Sequence, residues 1–149
     1  MVVTKFLFSA ILGLILQLNA IAQLSVPDSL NSALHSVKDD TIGVNILLSL
    51  SHYYLSHAPE KAKDYGFKGL NLARKLNFQS GRALAFKYIG DANYILGDFS
   101  ATIEEYSQSL AILDSIGDLI NKAKILNNFG VLYNSIGDEI KRLIIFLSH

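Results

Sequence analysis

Residues 86–98 read FKYIGDANYILGD, and residues 126–138 read LNNFGVLYNSIGD. The two stretches share two glycines, an aspartate and several apolar positions at an offset of 40 residues. A fixed period of about 20–50 residues is typical of proteins built from one repeated supersecondary unit. Such a unit cannot bury its apolar face alone, so it stacks on its neighbours. The sequence therefore predicts an array of stacked units.

The same register extends towards the N-terminus. Leu70 precedes Leu110 by 40 residues, but Leu50 precedes Ile89 by only 39. We infer that one residue is missing near the turn at Ala58-Pro59. The register predicts two complete repeats and a partial third: residues 44–82, 83–122 and 123–138.

Each repeat has the pattern of two helices. Residues 83–96 carry apolar side chains at spacings of three and four, which is typical of an amphipathic helix. Gly97 suits the left-handed backbone that often ends a helix, and Asp98 is a candidate N-cap for the next one. The pairs Gly117-Asp118 and Gly137-Asp138 predict two more helix ends of the same kind.

Other residues predict local structure within the repeats. Pro59 suits the first turn of a helix, where its missing N–H costs nothing. Asp40 or Thr41 is the candidate N-cap of the first repeat. Gly90 and Gly130 fall inside helices, where glycine costs roughly 0.5–1 kcal/mol relative to alanine. We expect that cost to reflect close contact with a neighbouring helix.

The segment 86–110, with Gly97-Asp98-Phe99 at its centre, resembles a tetratricopeptide repeat, and residues 126–138 resemble the start of another. Small residues let the helices of that family approach closely. Three residues match those positions in the first repeat (Ala62, Gly66 and Gly69), and two match them more loosely in the second (Thr102 and Ser109).

This resemblance implies an all-α fold. It is a right-handed solenoid of antiparallel helix hairpins, with about two and a half repeats after a signal peptide. The period of 40 residues is longer than the family's usual period of about 34. It resembles the long-helix variant that is common in sensory and signalling proteins.

The resemblance also implies a binding groove, because the first helix of each unit lines a concave surface in that family. The polar and aromatic positions on those helices form the candidate site: His52, Lys87, Asp91, Tyr94, Lys124, Asn127 and Asn134. The remaining inward positions are Asn45, Leu48, Leu55, Leu84 and Val131. The lysines and asparagines could clamp a carboxylate or the backbone of an extended peptide. Ordinary solvated positions are the alternative interpretation.

The N-terminus has the pattern of an export signal. Lys5 is the only charge before an apolar run at residues 6–16, and Ala20-Ile21-Ala22 suits signal peptidase. The run is shorter than the roughly 20 residues that span a membrane. We therefore predict a cleaved signal peptide at residues 1–22 and a periplasmic mature protein, with an uncleaved anchor as the alternative. Residues 23–43 are expected to form a leader and a first short helix.

The composition suggests few kinds of chemistry. The chain has 13 basic and 13 acidic residues, and it has no basic patch of the kind that binds nucleic acid. It has no cysteine and four histidines, and no zinc-ligand set can be assembled from them. No nucleophile elbow or phosphate loop is present. We expect no catalytic residue, metal or cofactor, and no contact with nucleic acid or, after signal cleavage, with the membrane.

The C-terminal residues 139–149 depart from the repeat. Arg142 stands where a small residue is expected, and residues 143–147 are an unbroken apolar run. A terminal repeat normally presents a polar outer face. We expect this segment to be an atypical apolar tail that promotes self-association, in a chain cut short or shifted in reading frame within its third repeat.

The proteins that this chain resembles are bacterial envelope sensors. In them an exported repeat domain precedes a membrane helix and a cytoplasmic histidine kinase, nucleotide cyclase or transcription-regulator domain. The function that we expect is a non-enzymatic scaffold that binds a protein or peptide as the sensory part of such a signalling protein. A stand-alone secreted peptide-binding protein is the alternative. A remnant of a histidine kinase or of an adenylate or guanylate cyclase gene product is a third interpretation.

Overall fold

The computed structural model describes residues 40–147, together with four positions before them (Ser29, Ser32, Ala33 and His35); from 141 to 147 it describes the backbone alone. This part of the chain is all helical and contains no strand. Its five helices are α1 (Thr41–Tyr54), α2 (Pro59–Lys75), α3 (Gln79–Ile95), α4 (Phe99–Ile116) and α5 (Leu119–Leu147). The predicted signal peptide at 1–22 lies outside the described residues, as does more than half of the predicted leader at 23–43.

Aspartates cap three of the helices. Asp40 accepts hydrogen bonds from the backbone amides of Ile42 and Gly43, each 3.0 Å from its Oδ1. Asp98 and Asp118 each accept one from the amide three residues later, also at 3.0 Å. These bonds satisfy backbone donors that a helix leaves unpaired at its N-terminus. The predictions for Asp40 and Asp98 are confirmed, and Pro59 lies in the first turn of α2 as expected.

Left-handed residues end α3 and α4. Gly97 and Gly117 have φ values of 79° and 70°, which confirms the predicted turns. A Cβ atom on either glycine would meet nothing within 4 Å. The backbone conformation, and not a lack of space, therefore favours glycine at these two positions. Asn77 takes the same place after α2, with a φ of 53°.

Consecutive helices pack against one another, and α1 also contacts α3. Small residues make the close contacts in the first repeat. Ala62 is fully buried, a Cβ on Gly66 would lie 2.7 Å from Ile89, and one on Gly69 would lie 2.6 Å from Leu48. Burying a side chain such as Leu48 or Ile89 contributes roughly 1.5–3 kcal/mol to stability. The expected role of these small residues is confirmed.

The prediction of a helix end at Gly137-Asp138 is wrong. Helix α5 continues through both residues to Leu147 and is 29 residues long. Neither α3 nor α4 continues past the equivalent pair. A glycine allows a left-handed helix end but does not require one. The helix ends there only where packing of the following segment offsets the lost helical hydrogen bonds.

The two mid-helix glycines have opposite surroundings. A Cβ on Gly90 would lie 2.7 Å from Cδ1 and from Cε1 of Tyr106, so α3 and α4 are in close contact there. A Cβ on Gly130 would meet nothing within 4 Å. The prediction of close helix contact is therefore confirmed for Gly90 and wrong for Gly130, beside which no helix of residues 40–147 packs.

None of the helices in the described part of the chain combines the length and the hydropathy needed to cross a membrane.

Candidate functional site

Two cavities lie along α1, α3 and α5. The first has a volume of about 330 Å³ and is lined from these three helices by Asn45, Lys87 and Lys124, among others. We call it the lysine cavity. The second has a volume of about 300 Å³ and is lined by Leu55, Asp91, Tyr94, Ile95, Tyr106, Asn128 and Val131. We call it the apolar cavity, because it has three aliphatic side chains: Leu55, just after α1, Ile95 of α3 and Val131 of α5.

The structure brings together eight of the twelve positions that the resemblance implied. Four line the lysine cavity (Asn45, Leu84, Lys87 and Lys124), and four line the apolar cavity (Leu55, Asp91, Tyr94 and Val131). Among the remaining positions, Asn127 and Asn134 are exposed on α5 and line neither cavity.

His52 and Leu48 have other roles. The ring of His52 stacks on Tyr88, with the ring centroids 5.2 Å apart. Leu48 is only 1% exposed and belongs to the core cluster that contains Leu70 and Ile89. The interpretation of Leu48 as a groove residue is therefore wrong, because close contact with Gly69 holds its side chain between α1 and α2.

Asp91 is the centre of a polar network whose members line the two cavities, Lys87 the first and Asp91, Tyr106 and Asn128 the second. Its carboxylate accepts hydrogen bonds from Lys87 Nζ at 2.5 Å, Tyr106 Oη at 2.7 Å and Asn128 Nδ2 at 3.1 Å. These donors lie on α3, α4 and α5, so one carboxylate links three helices. The ion pair with Asp91 offsets the charge of Lys87, which is consequently less available to a ligand than the sequence suggested.

The pKa values of two tyrosines at this network, Tyr88 and Tyr106, are shifted in the same direction. Burial, followed by the negative charge of Asp91, raises the pKa of Tyr106 above its ordinary value. The same two causes, in the same order, raise the pKa of Tyr88. Both hydroxyl groups therefore stay protonated at neutral pH. The hydrogen bond that Tyr106 donates to Asp91 is a further cause that raises the pKa of Tyr106.

Lys124 supplies the positive charge of the lysine cavity. Its side chain is exposed, and its Nζ donates a hydrogen bond of 3.1 Å to Asn121 Oδ1. No aspartate or glutamate is among the described residues that line this cavity. An anionic group that entered the cavity would meet Lys124, whose nearest carboxylate interaction is the longer-range attraction to Asp118.

Two of the aliphatic side chains that line the apolar cavity are exposed to solvent. Ile95 and Val131 are about half exposed, and Leu55 is partly exposed. Tyr94 is held at one side by a hydrogen bond between its Oη and Ser135 Oγ, which are 2.7 Å apart. The cavity is large enough for one apolar side chain of a ligand and would shield it from water.

Among the polar and aromatic residues of this region that sequence reasoning missed are Tyr88, Tyr106, Asn121 and Asn128. Asn128 follows Lys124 by four residues and therefore lies on the same face of α5, a signal that the sequence contains. Tyr106 lies on α4, whereas the family pattern assigns only the first helix of each repeat to the groove. Its Oη reaches Asp91 because Gly90 leaves room for its ring.

Within residues 40–140, no three histidine, aspartate or glutamate side chains lie together as the ligands of a metal ion would. No protein-family model matches the chain, and a search of curated proteins found no match.

Proposed function

We propose that the chain is a non-enzymatic scaffold of tetratricopeptide type that binds an extended peptide segment of a partner protein. In this proposal α1, α3 and α5 are the first helices of three successive repeats in a right-handed solenoid, and their shared side is its binding surface. The observation that carries the proposal is that α3 and α5 line both cavities together with α4 and with Asn45 of α1 or Leu55 just after it, one cavity around the exposed cation of Lys124 and one with aliphatic side chains.

The two cavities suit a peptide with an acidic and an apolar side chain. A carboxylate at Lys124 would form a charge-assisted hydrogen bond, which is shorter and stronger than a neutral one. The side-chain amides of Asn45 and Asn121 line the same cavity and can bond to a peptide backbone. An extended chain advances about 3.3 Å per residue, so side chains a few residues apart can enter different cavities.

The cellular setting of the proposal follows from the N-terminus and from the resemblance. Export by residues 1–22 would place the repeats in the periplasm, as the sensory part of an envelope signalling protein. A stand-alone secreted peptide-binding protein would use the same two cavities.

The acidic half of the proposal is tested by a change of charge on α5. We expect binding to an array of random-sequence peptides to select those with an acidic residue and an apolar residue. The Lys124→Gln variant should lose the preference for the acidic residue. Lys122→Gln is the matched control, because Lys122 lies on the same helix but outside both cavities, paired with Asp114. Equal loss in both variants would show a general effect of charge and would contradict the proposed site.

The apolar half is tested by placing a charge in the second cavity. The Val131→Asp variant should lose the preference for the apolar residue, because a carboxylate there would oppose burial of an apolar side chain. Ile120→Asp is the control, since Ile120 is exposed on α5 and lines neither cavity. Unchanged selectivity in Val131→Asp would exclude this cavity as a binding site.

A further inference from the structure

One side of α5 carries apolar residues in a heptad pattern. They are spaced by three and four residues in turn and alternate between small and large: Ala123, Leu126, Gly130, Tyr133, Gly137 and Ile140. The three large side chains are about half exposed: Leu126 by 49%, Tyr133 by 57% and Ile140 by 53%. A Cβ atom on Gly130 or Gly137 would meet nothing within 4 Å. We call these six residues the heptad face of α5.

The heptad face lies apart from the surfaces that α5 already uses. At 3.6 residues per turn its six positions fall within about 100° around the helix axis, and they extend over about 26 Å. The side of α5 that packs in the core is different, since Ile125 and Leu132 are buried in a cluster with residues of α4. None of the six residues lines the lysine cavity or the apolar cavity. An exposed apolar stripe with this spacing is typical of a surface that packs against another helix.

The equivalent side of α3 is covered by an antiparallel helix. Four residues of α3, 40 positions before the first four of the heptad face, are buried: Ala83, Phe86, Gly90 and Asn93. On α4, Ser109 donates a hydrogen bond to the carbonyl oxygen of Ala83, whereas the ring of Tyr106 lies against Gly90. The chain therefore runs in opposite directions in the two helices. By the same register, the heptad face of α5 suits an antiparallel helix with an aromatic ring over Gly130.

The heptad face is complementary to a second copy of itself. Its small residues occupy one core position of the heptad, and its large residues occupy the other. When two such helices run antiparallel, the order of positions is reversed in one of them, so the first kind of position meets the second. Each small residue then lies opposite a large one, and the side chains interdigitate without voids. In a parallel pair, large residues would meet large ones and small residues would meet small ones, which leaves clashes and gaps in turn.

We propose that the heptad face of α5 is an interface with a second copy of this chain, in which the two α5 helices pack antiparallel around a two-fold axis. Tyr133 of each copy lies over Gly130 of the other, as Tyr106 lies over Gly90 within one chain. A heptad pattern drifts by about 20° per heptad around a straight helix, and a left-handed crossing of the two helices matches this drift. The contact is the same on both copies, so the assembly closes at a dimer.

The residues beside the heptad face suit the same arrangement. With Tyr133 opposite Gly130, Asn127 of one copy comes alongside Asn134 of the other. Both asparagines are exposed and line neither cavity. A side-chain amide has both donors and an acceptor, so the two amides can bond to each other. The heptad face itself has no charged residue, so no like charges oppose its burial.

The interface has the size expected for a reversible dimer. The exposed parts of the three large side chains, with the small residues between them and the two asparagines, amount to roughly 500 Å² in each copy. The dimer would therefore bury about 1,000 Å², which is near the lower limit for a specific interface. We expect monomer and dimer to be in an equilibrium that depends on concentration.

The first test is the mass of the full chain, measured by sedimentation equilibrium over a range of concentrations. We expect a dimer whose dissociation constant rises at least tenfold in two variants. In Gly130→Leu a large residue would meet Tyr133, and in Tyr133→Ala a small residue would meet Gly130. The double variant restores a large residue opposite a small one, so we expect it to recover most of the lost affinity. Nothing surrounds Gly130 in the single chain, so Gly130→Leu should fold, and circular dichroism checks the fold of all three variants.

Phe67→Ala is the control, since Phe67 is an aromatic residue that is 40% exposed on a different helix, α2. Its dissociation constant should be unchanged. A monomeric full chain at all concentrations would overturn the proposal. So would an unchanged dissociation constant in both single variants, or a double variant that associates more weakly than either of them.

A second test measures the direction of the two helices. The natural sequence has no cysteine, so single cysteines can be placed without interference. In the proposed register Ala123 lies opposite Ile140 of the second copy, whereas the two copies of Ala123 are separated by 17 residues, or about 26 Å. We expect a short bis-maleimide to link Ala123→Cys chains to Ile140→Cys chains in a mixture, but not to link Ala123→Cys chains to each other. Links among Ala123→Cys chains alone would indicate a parallel pair and would contradict the proposal, as would the absence of links in the mixture.

Discussion

Asp91 shows how one residue can have both a structural and a functional consequence. Its carboxylate accepts hydrogen bonds from Lys87, Tyr106 and Asn128, which lie on three helices. A partly buried carboxylate is stable as an anion only when it has such partners. The network therefore holds three helices together where they line the two cavities, and it pairs one of the two lysines that the resemblance implied for the groove.

The two mid-helix glycines give a matched pair of substitutions. Gly130→Ala should stabilise the single chain by about 0.5–1 kcal/mol, because alanine is the better helix former and nothing opposes its Cβ. Gly90→Ala should be destabilising, because its Cβ would overlap the buried ring of Tyr106, and overpacking costs roughly 1–3 kcal/mol. Urea unfolding of both variants, at a concentration low enough to avoid self-association, measures the difference. If the urea midpoint shifts equally in both variants, α4 is not in close contact with Gly90.

Tyr106 predicts a dependence of stability on high pH. Its pKa is raised in the folded chain, so the folded state retains a proton that the unfolded state loses near pH 10. The stability that this proton contributes is complete below about pH 10 and declines as the pH rises above it.

The Tyr106→Phe variant isolates this contribution. At neutral pH it should lose about 0.5–1.5 kcal/mol with the hydrogen bond to Asp91. Above pH 10 its free energy of unfolding should fall less steeply than that of the natural chain, because phenylalanine has no proton to lose. Lysines titrate equally in both proteins, so their effect cancels in the comparison. Parallel pH profiles would show that Tyr106 is not the group responsible.

At the scale of elements, helix α5 begins with a cap that depends on charge. Hydrogen bonds from the backbone and side chain of Asn121 lower the pKa of Asp118 below its ordinary value. The cap therefore stabilises the folded chain above the ordinary aspartate pKa of about 4, and this contribution is lost as the pH falls through the lower, folded value.

The Asp118→Asn variant keeps a capping oxygen but has no proton to bind in this range. We expect its free energy of unfolding to decline less than that of the natural chain when the pH is lowered below about 4. Other carboxylates titrate in both proteins and cancel in the comparison. Identical acid profiles would show that the charge of Asp118 adds nothing to the cap.

At the scale of the whole molecule, the repeat creates sites that no single unit contains. Leu55, just after α1, Ile95 of α3 and Val131 of α5 line the apolar cavity together, although they are not equivalent positions of the repeat, whose offsets are 39 and 40 residues. Each cavity therefore requires at least three helices in sequence. Loss of α5 would remove one wall of both cavities while leaving the core between α1 and α4.

The N-terminal pattern predicts how the whole chain is processed. If residues 1–22 are a signal peptide, the mature protein expressed in a bacterium should be found in the periplasmic fraction and should begin at Gln23. N-terminal sequencing of that fraction measures this directly. Substitution of Ala22 by a large residue should block cleavage. A mature chain that still begins before Lys5 would instead indicate an uncleaved anchor.

The amino-acid sequence by itself determined the features that depend on local chemistry. It predicted the all-helical class from apolar spacing, the caps at Asp40 and Asp98 from their hydrogen-bonding oxygens, and the turn glycines at 97 and 117. These features follow from a residue and its near neighbours in the chain, so they can be predicted without knowledge of what packs against them.

Only the tertiary structure decided the rest. Gly90 and Gly130 occupy the same register, yet one is covered by Tyr106 and the other by nothing. Gly137 repeats Gly97, yet the helix ends only at the earlier glycine. Lys87 and Lys124 are alike in sequence, yet only Lys87 has a carboxylate partner. In each pair the residue is the same and the neighbour differs, because a distant segment either does or does not pack at that point.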